Sequence, residues 1–170
     1  MALSKIQSES INLADNYAFT GTVSGAGGGK VGQVVQTVKT DVFSTTSTSF
    51  VDVTGLTASI TPSATSSKVL VTVNLCVASG NNSISGILLR GSTQIALGDA
   101  SGSRTRAFGA SAYEGDVGDR THMPYNTNFL DSPNSSSEVT YKIQGAAVGG
   151  STLYYGRGTA DTDNSQHART

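Results

Sequence analysis

Tryptophan is absent from these 170 residues, cysteine occurs once, proline three times, and charged side chains make up only 14%. The lone Cys76 excludes an intramolecular disulfide framework and zinc sites built on several thiolates. Glutamate numbers three and lysine five, so the side chains that usually coat exposed helices are missing. A helix bundle or coiled coil is excluded as the main architecture. Long apolar runs are missing too. The most hydrophobic stretch, Val69 to Val77, is interrupted by Thr72 and Asn74, too short and too polar to cross a bilayer. The opening Met1-Ala2-Leu3-Ser4-Lys5-Ile6-Gln7-Ser8-Glu9 lacks the apolar core of a signal peptide, so synthesis in a cytoplasm without membrane insertion is expected. A formal net charge of −1 supplies no field toward nucleic acid or anionic lipid, and no nucleic-acid partner is expected.

What the chain does have is 24 serines, 21 threonines, 20 glycines and 15 valines, the vocabulary of strands and turns. Leu, Ile, Val and Phe together number 37. That core is thin for the length, and burial against further copies would stabilise it. Ser24-Gly25-Ala26-Gly27-Gly28-Gly29-Lys30 is a joint by composition, which divides the chain into an N-terminal arm over residues 1–30 and a domain over 31–170. In the arm, Tyr17 to Gly25 alternates and reads as extended, with little helix expected.

From Val31 onward the pattern is strand after strand. Gln33 to Lys39 carries Val34, Val35 and Val38. Ser49 to Val53 and Thr57 to Thr61 are short alternating pieces separated by Thr54-Gly55. Val69, Val71, Val73, Leu75 and Val77 recur at a period of two, the clearest half-buried strand. Ile87-Leu88-Leu89-Arg90, Gly91-Ser92 and Thr93 to Leu97 read as a hairpin whose leading loop glycine suits a II′ turn. Residues 98–127 are polar and turn-rich, with a strand over Arg104 to Ala110. Asp131-Ser132-Pro133-Asn134 is a turn, Glu138 to Gln144 alternates, and Thr152-Leu153-Tyr154-Tyr155 is the last apolar piece. Eight to ten short strands at this spacing predict an all-β fold, an antiparallel sandwich or jelly roll.

Chemistry is sparse. Ser24 to Val31 lacks the first glycine and the Ser or Thr after Lys30 that a phosphate loop needs. Only His122 and His167 could serve a hydrolase as base, and no Gly-x-Ser-x-Gly elbow occurs. Glu114, Asp116 and Asp119 share one loop and Asp161 and Asp163 another, but neither spacing matches a calcium loop. Arg104, Arg106 and Arg120 are balanced by nearby aspartates. Asn81-Asn82-Ser83 and Asn134-Ser135-Ser136 fit the glycosylation triplet and mark surface loops. No catalytic residue, cofactor or metal is expected. The loop from Tyr113 to Tyr125 combines Tyr113, Arg120, His122 and Tyr125, residue types suited to sugar or protein surfaces.

Ser4-Lys5-Ile6-Gln7-Ser8-Glu9-Ser10-Ile11-Asn12-Leu13-Ala14-Asp15-Asn16-Tyr17-Ala18-Phe19-Thr20-Gly21-Thr22-Val23 resembles the opening of virion proteins of marine tailed phages. So do Gly55 to Pro62 leading into Ser66-Ser67-Lys68-Val69-Leu70-Val71, then Leu88-Leu89-Arg90-Gly91-Ser92-Thr93, and Phe129 to Asn134 with Thr140 to Gly145. The resemblance covers nearly the whole chain. It implies a C1q/TNF-like jelly roll (the complement C1q and tumour-necrosis-factor type), assembled as a homotrimer and displayed on a bacteriophage particle. A short tail fibre is the leading expectation, non-enzymatic and located in the virion. Capsid decoration or a head fibre is the alternative, and a surface-glycan depolymerase the remote one. On this reading Leu3, Ile6, Ile11, Leu13, Tyr17 and Phe19 anchor the arm to other virion proteins. The Tyr113, Arg120, His122 and Tyr125 set serves host attachment through a glycan or protein, and Tyr154 and Tyr155 sit at the trimer interface. Family members close with an apolar strand after the counterpart of Thr152 to Tyr155. Here Asp161 to Thr170 offers none, so either the natural chain continues past Thr170 or the sheet is completed differently.

Overall fold

A computed structural model describes residues 31–79, 83–111, 122–160 and 162–163. The chain divides into two compact units, Met1–Gly32 and Gln33–Thr170, and the strands belong to the second. The six arm residues from Leu3 to Phe19 lie outside the described residues. Among those described there is no helix. Nine strands form instead: β1 (Phe43–Thr45), β2 (Val51–Ile60), β3 (Val69–Ser79), β4 (Ile84–Arg90), β5 (Thr93–Ile95), β6 (Gly109–Ser111), β7 (Met123–Asp131), β8 (Val139–Ala146) and β9 (Leu153–Tyr155).

One sheet runs β1-β9-β3-β7 and the other β2-β8-β4-β5, with β6 also on β4. Every pairing is antiparallel. β5 lies against Leu88–Arg90 and β6 against Ile84–Gly86, so the two share one edge of β4. Counting them as one broken strand makes the pairing nested: first with last, second with next to last, third with third from last, fourth with its successor. A long hairpin rolled so that its strands alternate between two sheets is a jelly roll, as the strand pattern predicts. β9 pairs with both β1 and β3, with β3 over Val77–Ser79 only.

The core lies between the sheets. In β3 Val69, Val73 and Val77 are buried while Leu70, Thr72 and Asn74 are exposed, the period-two face that the sequence predicts. In β4 Ile87, Leu88 and Leu89 are all buried, on both sides of the alternation. The Gly91-Ser92 hairpin is present, with Gly91 at φ +58 as its first loop residue. Asn134 at φ +52 closes the predicted turn after β7.

Three expectations change. The two alternating pieces around Thr54-Gly55 are one strand, β2, whose register against β8 shifts between Asp52 and Thr57. Gly55 at φ +87 absorbs that bulge without a break. The strand expected over Arg104 to Ala110 shrinks to β6. Gln33 to Lys39 joins neither sheet: Val34 is 81% and Val38 67% exposed, although the side chain of Lys39 is almost wholly covered. Thr37 donates its hydroxyl to the Thr57 carbonyl at 2.8 Å, and the Lys39 stem and ammonium lie over Gly55. Side-chain contacts thus hold this segment beside β2 where the valine pattern alone predicts a ladder.

Tyrosines complete the thin core. Gly86 and Gly145 are register partners in the second sheet, and Gly109 pairs with Gly86 from the other side. A Cβ at Gly109 would stand 2.8 Å from Cδ2 of Tyr125, and one at Gly145 2.5 Å from Leu153 and 3.2 Å from the Tyr155 hydroxyl. The missing side chains of one sheet make room for the large rings of the other.

Candidate functional surfaces

Of the proposed host-contact residues, Tyr113 and Arg120 lie outside the described residues. Tyr125 is 4% exposed, so it is a core residue and its assignment to the contact surface is corrected. It sits in β7 at an inward position. Its hydroxyl donates to the Ile84 carbonyl at 3.1 Å and its ring meets Phe108 edge-on at 6.3 Å. His122, just before β7, is half-buried, with a buried Nδ1 that has no hydrogen-bond partner among the described residues.

The interface pair is also divided. Tyr155 is 2% exposed and packs edge-on against Phe43 at 6.0 Å, which makes it core and corrects its place at an interface. Alternation turns its neighbour outward. Tyr154 shares the outer face with its register partner Ala78, and the Arg157 guanidinium lies 4.2 Å above its ring.

The densest polar group joins the sheets at one end of the sandwich. Arg90 of β4 donates from one guanidinium nitrogen to both oxygens of Asp131 in β7, at 2.7 and 2.9 Å, and to the Ser132 carbonyl at 3.3 Å. Tyr141 of β8, register partner of Arg90, donates its hydroxyl to Asp131 at 2.7 Å. Lys68 reaches the Ser132 hydroxyl at 2.6 Å. Burial, then the hydrogen bond to Asp131, pushes the Tyr141 hydroxyl pKa upward, so it stays a neutral donor. The buried carboxylate thus accepts three hydrogen bonds from two donors, Arg90 and Tyr141. The group links β4 and β8 of one sheet to β7 of the other.

On the outer face of the second sheet, Lys142 and Gln144 of β8 donate to the Asp52 carboxylate of β2 at 2.9 and 2.7 Å. The Lys142 hydrogen bond, then that from Gln144, lowers the Asp52 pKa. The outer face of the first sheet differs in kind. Leu70 and Leu130 are register partners and stand 65% and 61% exposed, and the outward residues that follow along β3 and β7, Thr72 to Cys76 and Asn128 to Pro124, carry no charge. Among the described residues, no three His, Cys, Asp or Glu side chains gather as metal ligands. Comparison with protein-family models, with curated proteins and with solved structures gives no match to this chain.

Proposed function

We propose that this chain is a non-enzymatic structural protein of a tailed-phage virion, working as a homotrimeric short tail fibre. Its arm fastens to other virion proteins and its jelly roll meets the host surface. The reading rests on the resemblance of the sequence to such virion proteins, and the observation that supports it is a jelly roll with Leu70 and Leu130 exposed as register partners on one sheet face. The arrangement of the polar groups supports it. The buried carboxylate of Asp131 is consumed by Arg90 and Tyr141, whereas apolar side chains stand exposed on one sheet face and on the valine segment. Such a surface favours association over turnover.

Gold-labelled antibody against this chain, applied to purified particles, tests the reading. Label at the tail is the expected result. Label over the shell replaces the tail fibre by a decoration protein or head fibre, and a particle without the chain refutes both. New reducing ends from host polysaccharide would establish the depolymerase instead.

A further inference from the structure

Two strand-forming stretches, one outside both sheets and one at a sheet edge, sit on opposite flanks of the sandwich. The first is Gln33 to Val38. It carries no charge, is rich in the β-branched residues that favour strands, and has Val34 and Val38 largely in water. It makes no ladder in either sheet. The second is β7, nine residues long and, among the described residues, paired through β3 on one side only. Its Pro124 marks an edge strand. Beyond it, Asn126 to Leu130 offers an open row of backbone donors and acceptors with no lysine to repel a partner.

The two cannot meet within one chain. Thr37 and Lys39 hold the first stretch beside β2, at the Thr57 carbonyl and over Gly55. β7 stands at the other flank, where Phe108 beside β6 packs on Tyr125. Four strands per sheet put about 14 Å between those flanks.

We infer that Gln33 to Val38 of one copy adds as a strand to the β7 edge of a second copy. The addition satisfies backbone groups on both sides and sets valines beside the exposed Leu130 and Leu70 pair, extending one apolar strip. The joined surfaces differ and lie at opposite flanks, so the contact is head-to-tail, the kind that gives a ring where its rotation closes and a filament where it does not. The inference rests on the proposal that the chain self-associates, and it names the contact.

Amide exchange read by mass spectrometry on the full chain, with light scattering at micromolar concentration, tests it. The expected result is a mass of several copies, with amides over Gln33 to Val38 exchanging about a hundredfold more slowly than in a Gln36→Pro variant. That substitution removes a donor where one copy has no ladder, so strand content should persist while the mass falls to one chain. Asn126 to Leu130 should lose protection together with it. A second variant, Val34→Ser with Val38→Ser, should likewise reduce the mass. A multi-copy mass with fast exchange over Gln33 to Val38 overturns the strand addition and leaves self-association standing. A single-copy mass for the unaltered chain overturns both.

Discussion

Arg90 and Asp131 face each other across the sandwich, the guanidinium of β4 in one sheet 2.7 Å from the carboxylate of β7 in the other. Asp131 is 4% exposed, so its charge left water on folding and depends on Arg90 and Tyr141 for compensation. Removing one partner leaves the other buried and unpaired, which costs about 3 kcal/mol, whereas replacing both by apolar side chains removes the need for pairing. Arg90→Met alone should therefore be strongly destabilising, and Arg90→Met combined with Asp131→Leu less so. Urea unfolding of the single and double variants checks this. Additive losses would mean that the pair is not coupled.

Packing against glycine gives a second test. Gly145→Ala places a methyl group 2.5 Å from Leu153 Cδ2, in a core with no slack between sheets, and overpacking of this kind costs about 1–3 kcal/mol. Gly98→Ala meets nothing within 4 Å and should stay within about 0.5 kcal/mol of the unaltered chain. Similar thermal midpoints for the two variants would show that the close approach at Gly145 relaxes freely.

The strands were legible wherever one face is wet and the other dry, because alternation then writes itself into the sequence. β3 is the clearest case, and the Gly91-Ser92 hairpin follows from turn chemistry alone. Gln33 to Val38 misleads for the same reason: its valines satisfy the pattern of a strand, but none of the described strands of its own copy pairs with it. Tyr125 falls to the contact surface because its stretch is polar and turn-rich, and Tyr155 to an interface through the resemblance to jelly-roll trimers; neither signal reports that the two rings are buried in the core. Their burial depends on Gly86, Gly109 and Gly145, which are distant in sequence and become neighbours only through strand register. Asp131 hides similarly, since its partners Arg90 and Tyr141 meet it only across the two sheets.

The inward face of β3 makes a third prediction. Val73 is 8% exposed and belongs to the core, while Thr72 beside it is exposed. Val73→Asp buries an unpaired carboxylate and should cost several kcal/mol, about 3 or more. Thr72→Asp leaves its charge in water and should cost under about 1 kcal/mol. Guanidinium unfolding of both variants decides the matter, and equal losses would reverse the assigned face.

Alkaline pH should unfold this protein through its interior tyrosines. Tyr155 has its hydroxyl buried without a hydrogen-bond partner among the described residues, and burial, reinforced by nearby Tyr125, raises its pKa above the ordinary 10.0. Tyr141 is raised by burial and by Asp131. In the unfolded chain both titrate near their ordinary value, so above it the unfolded state has released protons that the folded state still holds. Stability is therefore full below about pH 10 and falls as pH rises through the interval between the unfolded and folded values. Tyr155→Phe should flatten that fall and, because it deletes an unsatisfied hydroxyl, leave neutral-pH stability unchanged or slightly higher. Tyr141→Phe should flatten the fall as well, but at neutral pH it should cost about 1–2 kcal/mol by taking a donor from Asp131. Urea midpoints at about pH 8 and about pH 11 separate these outcomes. If Tyr155→Phe loses stability between the two conditions as steeply as the unaltered chain, the buried hydroxyl does not govern the alkaline transition.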